Sequence, residues 1–546
     1  MIPDNALLVI EAPGKRPALF SLLQSVRAPK TTKVAATRGR LYDLPTDHLG
    51  VDLDALTISE RRLINPPLTE QLRKDILASS VVYLMTDDDE EGEWIASQVC
   101  ELAPTHHFLR TPLPALSLND FARALANPRE LNESVIRSAV ARRISDRIIG
   151  YGLSQRDYKA PVPGAVGRVL SPILAELQGG SDRGSASRQV IGPDRHTYEI
   201  TVPITGSQDN DQALRSLLAD LPAPDLEVVS DEECDAPLPL TGPEALVGAS
   251  DATGLDPSVI AGHLQSQYER GILSYPRSDA YYLTEERVAE LAQTASAFGM
   301  RGFDPSLLLE RAARWAPGPQ STGAHHAVVP IGKCDPERSR RSATDEGLVR
   351  HFIAHRSILA GLNCSWRRRT ATFRDTPSSR DWRHALADHM DKISITSLSY
   401  CLPHRAPRPV LQNTDPLALG ECSIALRRYS PERLVLEQLV RASLGRPSTL
   451  PIHAKQIATQ YLTPTGELNG RGIHALQRVR DVCPLLLDRD VQRRLSLELF
   501  GASTRTSAER ALRVMQALQI DVRHVPQAEP LDAPGSPPIG PPNAPG

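Results

Sequence analysis

The chain of 546 residues has few cysteines, few aromatic residues and no excess of positive charge. Its seven cysteines include no C-x-x-C pair, so neither a zinc ribbon nor a disulfide framework is indicated. The net charge of −3 gives no overall attraction to nucleic acid. Any nucleic acid must therefore bind through local basic patches, for which segments 367–369 and 338–341 are candidates. With 8 Phe and 4 Trp, charge should contribute more to such binding than base stacking.

Long apolar runs and nucleotide-binding loops are also missing. No apolar run approaches the length of a membrane span, and Asp4 and Glu11 interrupt the N-terminus where a signal peptide would be apolar. We therefore expect a soluble protein in a reducing compartment, the cytoplasm. No G-x-x-x-x-G-K-[ST] loop occurs, so nothing in the sequence predicts the use of ATP. The length predicts several domains with sizeable cores.

A dense acidic block is the most informative segment that is present. Residues 81–85 form an apolar run typical of a short buried strand, and T-D-D-D-E-E-G-E follows at 86–93. Asp87, Asp89 and Glu91 alternate, so they could present their carboxylates to one Mg²⁺ ion at the strand end. A solvated acidic turn is an equally good interpretation of this block alone. An EF-hand loop is excluded, because its twelfth position would be Gln98 rather than glutamate.

The N-terminus supplies a second strand that ends in a carboxylate. Residues 6–10 are apolar and lead to Glu11 and then Ala-Pro-Gly-Lys, while residues 32–37 are a third strand candidate. Acidic residues at the ends of two strands suit an open α/β sheet, whose sites lie outside the carboxyl ends of the strands. Lys15 would lie near the start of the next helix, a position suited to a phosphate group.

These segments resemble the Toprim domain of type IA DNA topoisomerases. V-I-E-A-P-G-K at 9–15 is similar to the opening of that domain, and 86–93 to its acidic motif, T-D-P-D-R-E-G-E. A-T-R-G-R-L-Y-D-L-P at 36–45 resembles the G-H-x-x-D-L-P segment between them. Primases and nucleases also contain Toprim modules, so this part of the chain leaves the reaction open.

A second block favours the topoisomerases. I-L-S-Y-P-R-S-D at 272–279 resembles their active-site motif I-T-Y-x-R-T-D, so Tyr275 matches the nucleophilic tyrosine and Arg277 and Asp279 flank it. A phenol is a weak nucleophile until it is ionised, and a nearby cation stabilises both phenolate and the phosphoryl transition state. Arg277 is always charged and can grip a phosphate by two hydrogen bonds.

Further segments agree in order and spacing. A-H-H-A-V-V-P at 324–330 resembles A-H-H-A-I-I-P, with His325 positioning or protonating the scissile phosphate. A-V-A-R-R-I-S-D-R-I-I-G-Y at 139–151 resembles a family helix, and apolar residues of this chain repeat there at every fourth position from 136 to 148. G-R-V-L-S at 167–171 and L-G-R-P-S-T at 444–449 are similar to G-R-V-Q-S and I-G-R-P-S-T. The resemblance implies these DNA-binding residues: Arg142, Arg143, Asp146, Arg168, Asp279, Arg446, Ser448 and Thr449.

The resemblance implies a multidomain α/β and α fold shaped as a torus. The Rossmann-like Toprim domain would cover 1–120, a helical DNA-groove domain 121–178 and 430–525, and a β-rich arch 188–239 and 346–429. The tyrosine domain would cover 240–345, and 526–546 would be a disordered Pro/Gly-rich tail. Composition adds two flexible connections, at 179–187 and at 222–243.

The resemblance also implies a mechanism. Tyr275 would attack a phosphodiester of single-stranded DNA, forming a 5′-phosphotyrosyl bond, and Glu11 would protonate the departing 3′-oxygen. Lys15 and Arg277 would stabilise the phosphoryl charge, and Asp87, Asp89, Glu91 and Glu11 would hold Mg²⁺. The enzyme would be a monomeric isomerase of the nucleoid that relaxes or decatenates DNA without a nucleotide cofactor.

Three positions depart from the family motifs. Glu90 replaces the usual arginine, Arg40 a histidine, and Leu170 a glutamine. Glu90 adds a negative charge beside carboxylates that already repel one another, so it should raise the need for a cation. A non-cleaving relative that clamps DNA, and a Toprim nuclease or primase, remain alternative interpretations.

Overall fold

The computed structural model describes residues 2–154, 166–180, 182–204, 211–315, 326–332, 334, 344–401, 408–409, 424–500 and 503–525. His325, the basic segment 338–341 and the predicted tail 526–546 lie outside these residues. The described chain mixes α-helices with one parallel and several antiparallel sheets. None of its described helices combines the length and the apolar character that crossing a membrane requires.

The N-terminal sheet has four parallel strands, in the order Lys33–Ala36, Leu7–Ile10, Val82–Leu84 and Phe108–Arg110. The three strands predicted from the sequence are all present in it. Leu7–Ile10 is buried on both faces, as expected for a parallel strand covered by helices. The helices Arg16–Ser25, Pro66–Leu77, Glu90–Glu101 and Leu118–Ala126 accompany this sheet, with two small ladders, Tyr42–Asp43 with Arg62–Leu63 and Val51–Asp52 with Thr57–Ile58.

Helices distant in sequence form a shared core. The predicted motif helix is Glu133–Arg147, continued by a π-helical turn, Ile148–Gly152. Its buried Ile144 and Ile148 belong to one apolar cluster with Leu495 and Val514, which lie far along the chain. The other helices of this part are Leu170–Gln178, Pro431–Arg441, Leu450–Tyr461, Gly470–Val482, Arg489–Phe500 and Ser507–Ala517, with 3₁₀ turns Pro484–Leu487 and Val522–His524. Burial of apolar side chains therefore joins segments more than 300 residues apart.

A third helical group precedes and follows Tyr275. It comprises Gly242–Thr253, Pro257–Glu269, Glu285–Ala297, Pro305–Arg314 and Asp345–Leu359. Gly242–Thr253 begins with a capping box between Thr241 and Glu244 and ends at Gly254, whose φ of 74° suits a residue without Cβ. These end signals fix where the helix starts and stops.

The large sheet is antiparallel and has the strand order Leu226–Cys234, Ser365–Phe373, Ser394–Cys401, Thr197–Ile204, Gly184–Ile191 and Ile424–Arg428, with Arg408–Pro409 paired to Ser394–Cys401. The elements Asp211–Asp220, Pro377–Ala385 and Ala387–Lys392 are the helical segments of this region. Two predicted flexible connections were wrong in part, since the strand Gly184–Ile191 begins within one and Leu226–Cys234 lies within the other.

Opposite charges on the neighbouring strand explain why the acidic segment predicted as a flexible connection forms a strand. Asp231, Glu232 and Glu233 lie opposite Arg369, Arg368 and Arg367 in the antiparallel register. Cross-strand pairs of opposite charge stabilise a sheet, so an acidic sequence can form a strand here. The basic segment 367–369 is thus matched by its neighbour, and Arg367 Nε donates to Asp231 Oδ1 over 2.8 Å.

Candidate active site

Carboxylates from two strands meet at one edge of the N-terminal sheet. Leu7–Ile10 and Val82–Leu84 are adjacent and parallel, with Leu7 opposite Val82 and Val9 opposite Leu84. Glu11 follows the first strand directly, and Asp87 follows the second after two buried residues. The parallel register therefore places both carboxylates at the same sheet edge, as the sequence predicted.

Tyr275 is buried against this edge. Its side chain is 1% exposed and packs in the apolar cluster that contains Leu8 and Tyr83 of the sheet. Its hydroxyl donates to Asp89 Oδ2 over 2.8 Å, and its ring meets the edge of the Tyr268 ring at 5.4 Å between centroids. The fold thus brings a tyrosine and an acidic motif that are 186 residues apart into direct contact.

The electrostatics of the site keep two acids protonated. Burial, followed by the charges of Asp89 and Asp87, raises the pKa of Tyr275 well above its ordinary value. Burial and the same two carboxylates raise the pKa of Glu11 to about 8. At neutral pH, Tyr275 is therefore a phenol and Glu11 is predominantly a carboxylic acid able to give a proton.

Two cations balance the carboxylates. Lys15 is 2% exposed, donates to Asp87 Oδ1, and lies 4.8 Å from the Tyr268 ring centre. Burial acts to raise the pKa of Asp87, but the charges of Lys15 and Arg277 outweigh it and hold that pKa low. Burial likewise opposes the charge of Arg277, whose pKa is nevertheless raised by the adjoining Tyr275 and the carboxylates. A phosphoryl group entering here would meet two permanently charged cations.

The acidic motif itself is a tight turn into a helix. Asp89 caps the helix Glu90–Glu101, because its Oδ1 accepts the Gly92 backbone N–H over 2.7 Å. A Cβ at Gly92 would lie 2.0 Å from the carbonyl oxygen of Asp87, so this position requires glycine. Thr86 Oγ1 closes the turn by donating to the Gly92 carbonyl over 2.7 Å. The cap and the turn fix Asp89 where the tyrosine hydroxyl reaches it.

Glu93 has a structural role that the sequence did not reveal. Its side chain is 3% exposed and pairs with buried Arg110 over 2.9 Å and with Arg129 over 2.8 Å. The Asn132 backbone N–H also donates to it, over 2.6 Å. Although burial opposes the charge, these partners lower the pKa of Glu93 to about 2. The sequence feature that could have revealed this role is Arg110, which ends an apolar strand, because a buried arginine requires an acidic partner nearby.

Replacing Glu93 by glutamine should destabilise the fold by about 3–5 kcal/mol, because Arg110 would stay buried without its counter-charge. Because the folded pKa lies below the ordinary 4.5, the stability from this charge is present above 4.5 and lost as pH falls through about 2. Thermal unfolding of Glu93→Gln at neutral pH measures the loss. Glu101→Gln is the control, since Glu101 ends the same helix but pairs with exposed Arg61. Equal melting temperatures for the two variants would contradict this account.

Comparisons with known proteins agree with this geometry. A family model described as DNA topoisomerase matches residues 203–383, which contain Tyr275. DNA topoisomerase 1 of Aquifex aeolicus is 24% identical over 488 residues, covering 81% of this chain and 84% of the relative. Full-length topoisomerase I from Thermotoga maritima has a similar fold, with a TM-score of 0.62 at 19% identity, over 95% of this chain and 90% of that one. The chain is thus similar in sequence and in fold to DNA topoisomerases.

This chain matches two longer relatives over less than half of their length. Reverse gyrase of Pyrobaculum aerophilum is 25% identical over 408 residues, 72% of this chain but 32% of the relative. The plasmid DNA topoisomerase I of Xylella fastidiosa is 25% identical over 320 residues, 54% of this chain and 47% of the relative. The similarity to these two relatives is limited to the matched segments.

The carboxylates at this sheet edge do not fit a metal site in the arrangement observed. In the described residues, no three His, Cys, Asp or Glu side chains form a group able to hold an ion. Asp87 pairs with Lys15, and Glu91 pairs with Arg40 over 2.6 Å. The alternation that predicted one shared ion stops because the helix begins at Glu90, so Glu91 follows helical rather than strand geometry. We assign no step of the reaction to a metal.

The predicted DNA-binding residues fall into two sets. Arg142 and Arg446 reach the acidic motif, where both bind Glu90. Arg168 instead grips Asp146 by two hydrogen bonds of 2.8 and 3.2 Å, and Arg143 pairs with Asp43 over 2.8 Å. Of the remaining residues, Thr449 Oγ1 accepts the Arg446 backbone N–H over 3.1 Å, Ser448 is half-buried, and Asp279 is exposed.

Proposed function

We propose that the chain cleaves and rejoins one strand of DNA without ATP, through a 5′-phosphotyrosyl intermediate. The observation that carries this proposal is the Tyr275 hydroxyl held 2.8 Å from Asp89, at a sheet edge where Glu11 is also located. Cleavage exchanges one phosphodiester for another, so it is nearly isoenergetic and runs in both directions without an energy source. An isomerase that relaxes negative supercoils or separates linked DNA fits that chemistry.

The nucleophile needs its proton removed at the moment of attack. Tyr275 Oη forms the new bond to phosphorus, and the phenol proton passes to Asp89, the carboxylate that already accepts it in a hydrogen bond. Asp89 is fixed by its helix cap, so it also orients the ring. Arg277 offsets the phenolate charge as it develops.

The leaving group needs a proton at the same time. The bond between phosphorus and the 3′-oxygen breaks, and Glu11, protonated near neutral pH, gives its proton to that oxygen. Lys15, which is paired with Asp87, would stabilise the equatorial charge of the phosphoryl group. In rejoining, the 3′-hydroxyl attacks phosphorus and gives its proton to Glu11, while the bond between phosphorus and Tyr275 Oη breaks and Asp89 returns its proton to that oxygen.

Access of DNA requires the tyrosine to separate from the sheet. In the closed arrangement Tyr275 is 1% exposed, and the helix Glu285–Ala297 is tied to Leu118–Ala126 by Arg287, which pairs with Asp120 over 3.5 Å. Glu286 accepts a hydrogen bond from Asn119 over 2.8 Å across the same contact. Opening these contacts would create the gap through which a second strand passes.

The finer architecture and the partners belong to the same proposal. The N-terminal sheet would be a Toprim domain, and the predicted domain boundaries would enclose a torus around the DNA. The substrate would be a single-stranded segment at the cut site, bound by a monomer among the DNA of the cytoplasm. Mg²⁺ is proposed on the resemblance alone.

Incubation with negatively supercoiled plasmid and no nucleotide tests this function. We expect relaxation in the presence of Mg²⁺ alone, without stimulation by ATP, and protein attached to the 5′ end of the broken strand after denaturation. Binding without any break would identify a clamp, and breaks with no attached protein would identify a nuclease. Relaxation that continues in excess chelator would remove Mg²⁺ from the proposal.

A further inference from the structure

Three arginines surround the ring of Phe500, the last residue of the helix Arg489–Phe500. The guanidinium of Arg446 lies 3.9 Å from the ring centre, that of Arg168 5.6 Å, and that of Arg142 5.9 Å. Two of these arginines, Arg142 and Arg446, together with Phe500, are called the arginine cluster below. Stacking on an aromatic face holds a guanidinium group in place, and its N–H groups, which lie in the guanidinium plane, stay free to donate hydrogen bonds to an anion.

A carboxylate from the acidic motif fills this cluster. Glu90 Oε2 accepts from Arg142 over 3.1 Å, and Glu90 Oε1 accepts from Arg446. The nearby Ser138 hydroxyl donates its one proton to the Leu499 carbonyl. Arg168 is not part of this contact, because it is bound to Asp146. Glu90 is thus an anion held by two guanidinium groups, donors that proteins commonly present to a DNA phosphate.

The cluster has a hydrogen-bond donor that the carboxylate does not use. The Nε of Arg446 is buried and has no hydrogen-bond partner in the part of the chain that the structure describes. A carboxylate has two oxygens, whereas a backbone phosphate offers two charged oxygens and two ester oxygens in a tetrahedral arrangement. A phosphate in this position could therefore satisfy a donor that Glu90 leaves unpaired.

The position of the cluster relates it to the reaction. Glu90 follows Asp89, the residue that accepts the Tyr275 hydroxyl, and begins the helix Glu90–Glu101 beside the N-terminal sheet. Arg142 and Arg446 come from the helices and turns on the other side of this contact. An anion bound between them would lie close to the strand being cut.

We propose that Glu90 is an internal competitor of DNA, occupying in the DNA-free chain a backbone-phosphate site formed by Arg142 and Arg446. This inference rests on the proposed function, since it assumes a DNA strand at the Tyr275 site. Two anions cannot share these two guanidinium groups without repulsion. DNA must therefore displace Glu90, which breaks an ion-pair contact between the helix Glu90–Glu101 and the helical part that carries the arginines.

Removing the competing charge tests the inference. Glu90→Gln keeps the shape of the side chain and cannot neutralise the arginines, so it should bind a labelled oligodeoxythymidylate on the order of tenfold tighter than wild type at low ionic strength. Glu90→Ala should tighten binding in the same direction. Glu101→Gln removes the same charge from the other end of the same helix and should bind like wild type.

Each outcome decides the inference. Unchanged or weaker binding by Glu90→Gln and Glu90→Ala would overturn it, as would equal tightening by Glu101→Gln, which would reflect general charge alone. Failure of both Glu90 variants to fold would show that the ion pairs are structural and cannot yield to DNA. Plasmid relaxation by the wild type, measured in parallel, keeps the proposed function separate. If the wild type relaxes DNA while the variants bind no tighter, this inference alone is wrong.

Discussion

Replacing Tyr275 by phenylalanine should abolish formation of protein-linked DNA, lowering the cleavage rate by at least about 10³-fold. Phenylalanine preserves the ring that packs against Tyr268 and the sheet, and removes the oxygen that would bond to phosphorus. The hydrogen bond to Asp89 is lost from the fold. The variant should therefore remain folded and should still bind single-stranded DNA. Quantifying covalent complexes after denaturation measures the loss.

Tyr268 provides a matched control for this experiment. It is equally buried, at 1% exposed, and its hydroxyl donates to the Leu113 carbonyl over 3.3 Å. Tyr268→Phe loses a phenolic oxygen from the same apolar cluster but keeps the ring beside Lys15. We expect it to cleave DNA at nearly the wild-type rate. Comparable loss in both variants would mean that the hydroxyls act through packing, and would argue against Tyr275 as the nucleophile.

Glu11→Gln should lower the single-turnover cleavage rate by roughly 10²–10⁴-fold, the range for loss of a general acid. Because the pKa of Glu11 is raised to about 8, the wild-type residue carries its proton below that pH and loses it above. Wild-type cleavage should therefore fall as pH rises through about 8, while the residual rate of the glutamine variant should not. Identical pH profiles for the two proteins would assign the proton to another group.

Although Glu11→Gln should lower the cleavage rate, it should stabilise the folded protein at alkaline pH. The folded pKa of Glu11, about 8, lies above its ordinary 4.5, so the contribution to stability is full below 4.5 and lost as pH rises through about 8. Above that pH, the folded protein holds a buried carboxylate beside Asp87 and Asp89. Glutamine is never charged, so Glu11→Gln should melt a few degrees higher than wild type in alkaline buffer. A lower melting temperature there would contradict the assignment of Glu11 as a desolvated acid.

The arrangement of strand ends was accessible from the sequence because it depends on local pattern and parallel topology. Apolar runs ending in Glu11 and in the acidic motif predicted that carboxylates would gather at one sheet edge, and the register of the N-terminal sheet places them there. The resemblance placed Tyr275 and Asp89 in one active site with Asp89 as a metal ligand, but their hydrogen bond was not predicted, since nothing local joins residues 186 positions apart. Domain boundaries beyond these segments stay a prediction.

The partners of the charged residues were not accessible, because they depend on which distant helices pack together. Glu90 was expected to add unbalanced repulsion, yet Arg142 and Arg446 neutralise it. Arg40, another departure from the motif, pairs with Glu91. These pairs form where three parts of the chain meet, and the positions of these residues in the sequence do not indicate that they will pair. The sequence argument that the charge of Glu90 raises the need for Mg²⁺ therefore does not hold, because the two arginines already balance that charge.

The identity of the residue that becomes linked to DNA tests the central claim most directly. A cleavage reaction on a single-stranded oligonucleotide is stopped with denaturant, digested with nuclease and protease, and the nucleotide-bearing peptide is identified by mass spectrometry. The account predicts a nucleotide joined through its 5′-phosphate to Tyr275. A nucleotide on Tyr268, Tyr281 or Tyr282, a 3′-phosphate linkage, or cleaved DNA with no adduct on the protein would contradict it.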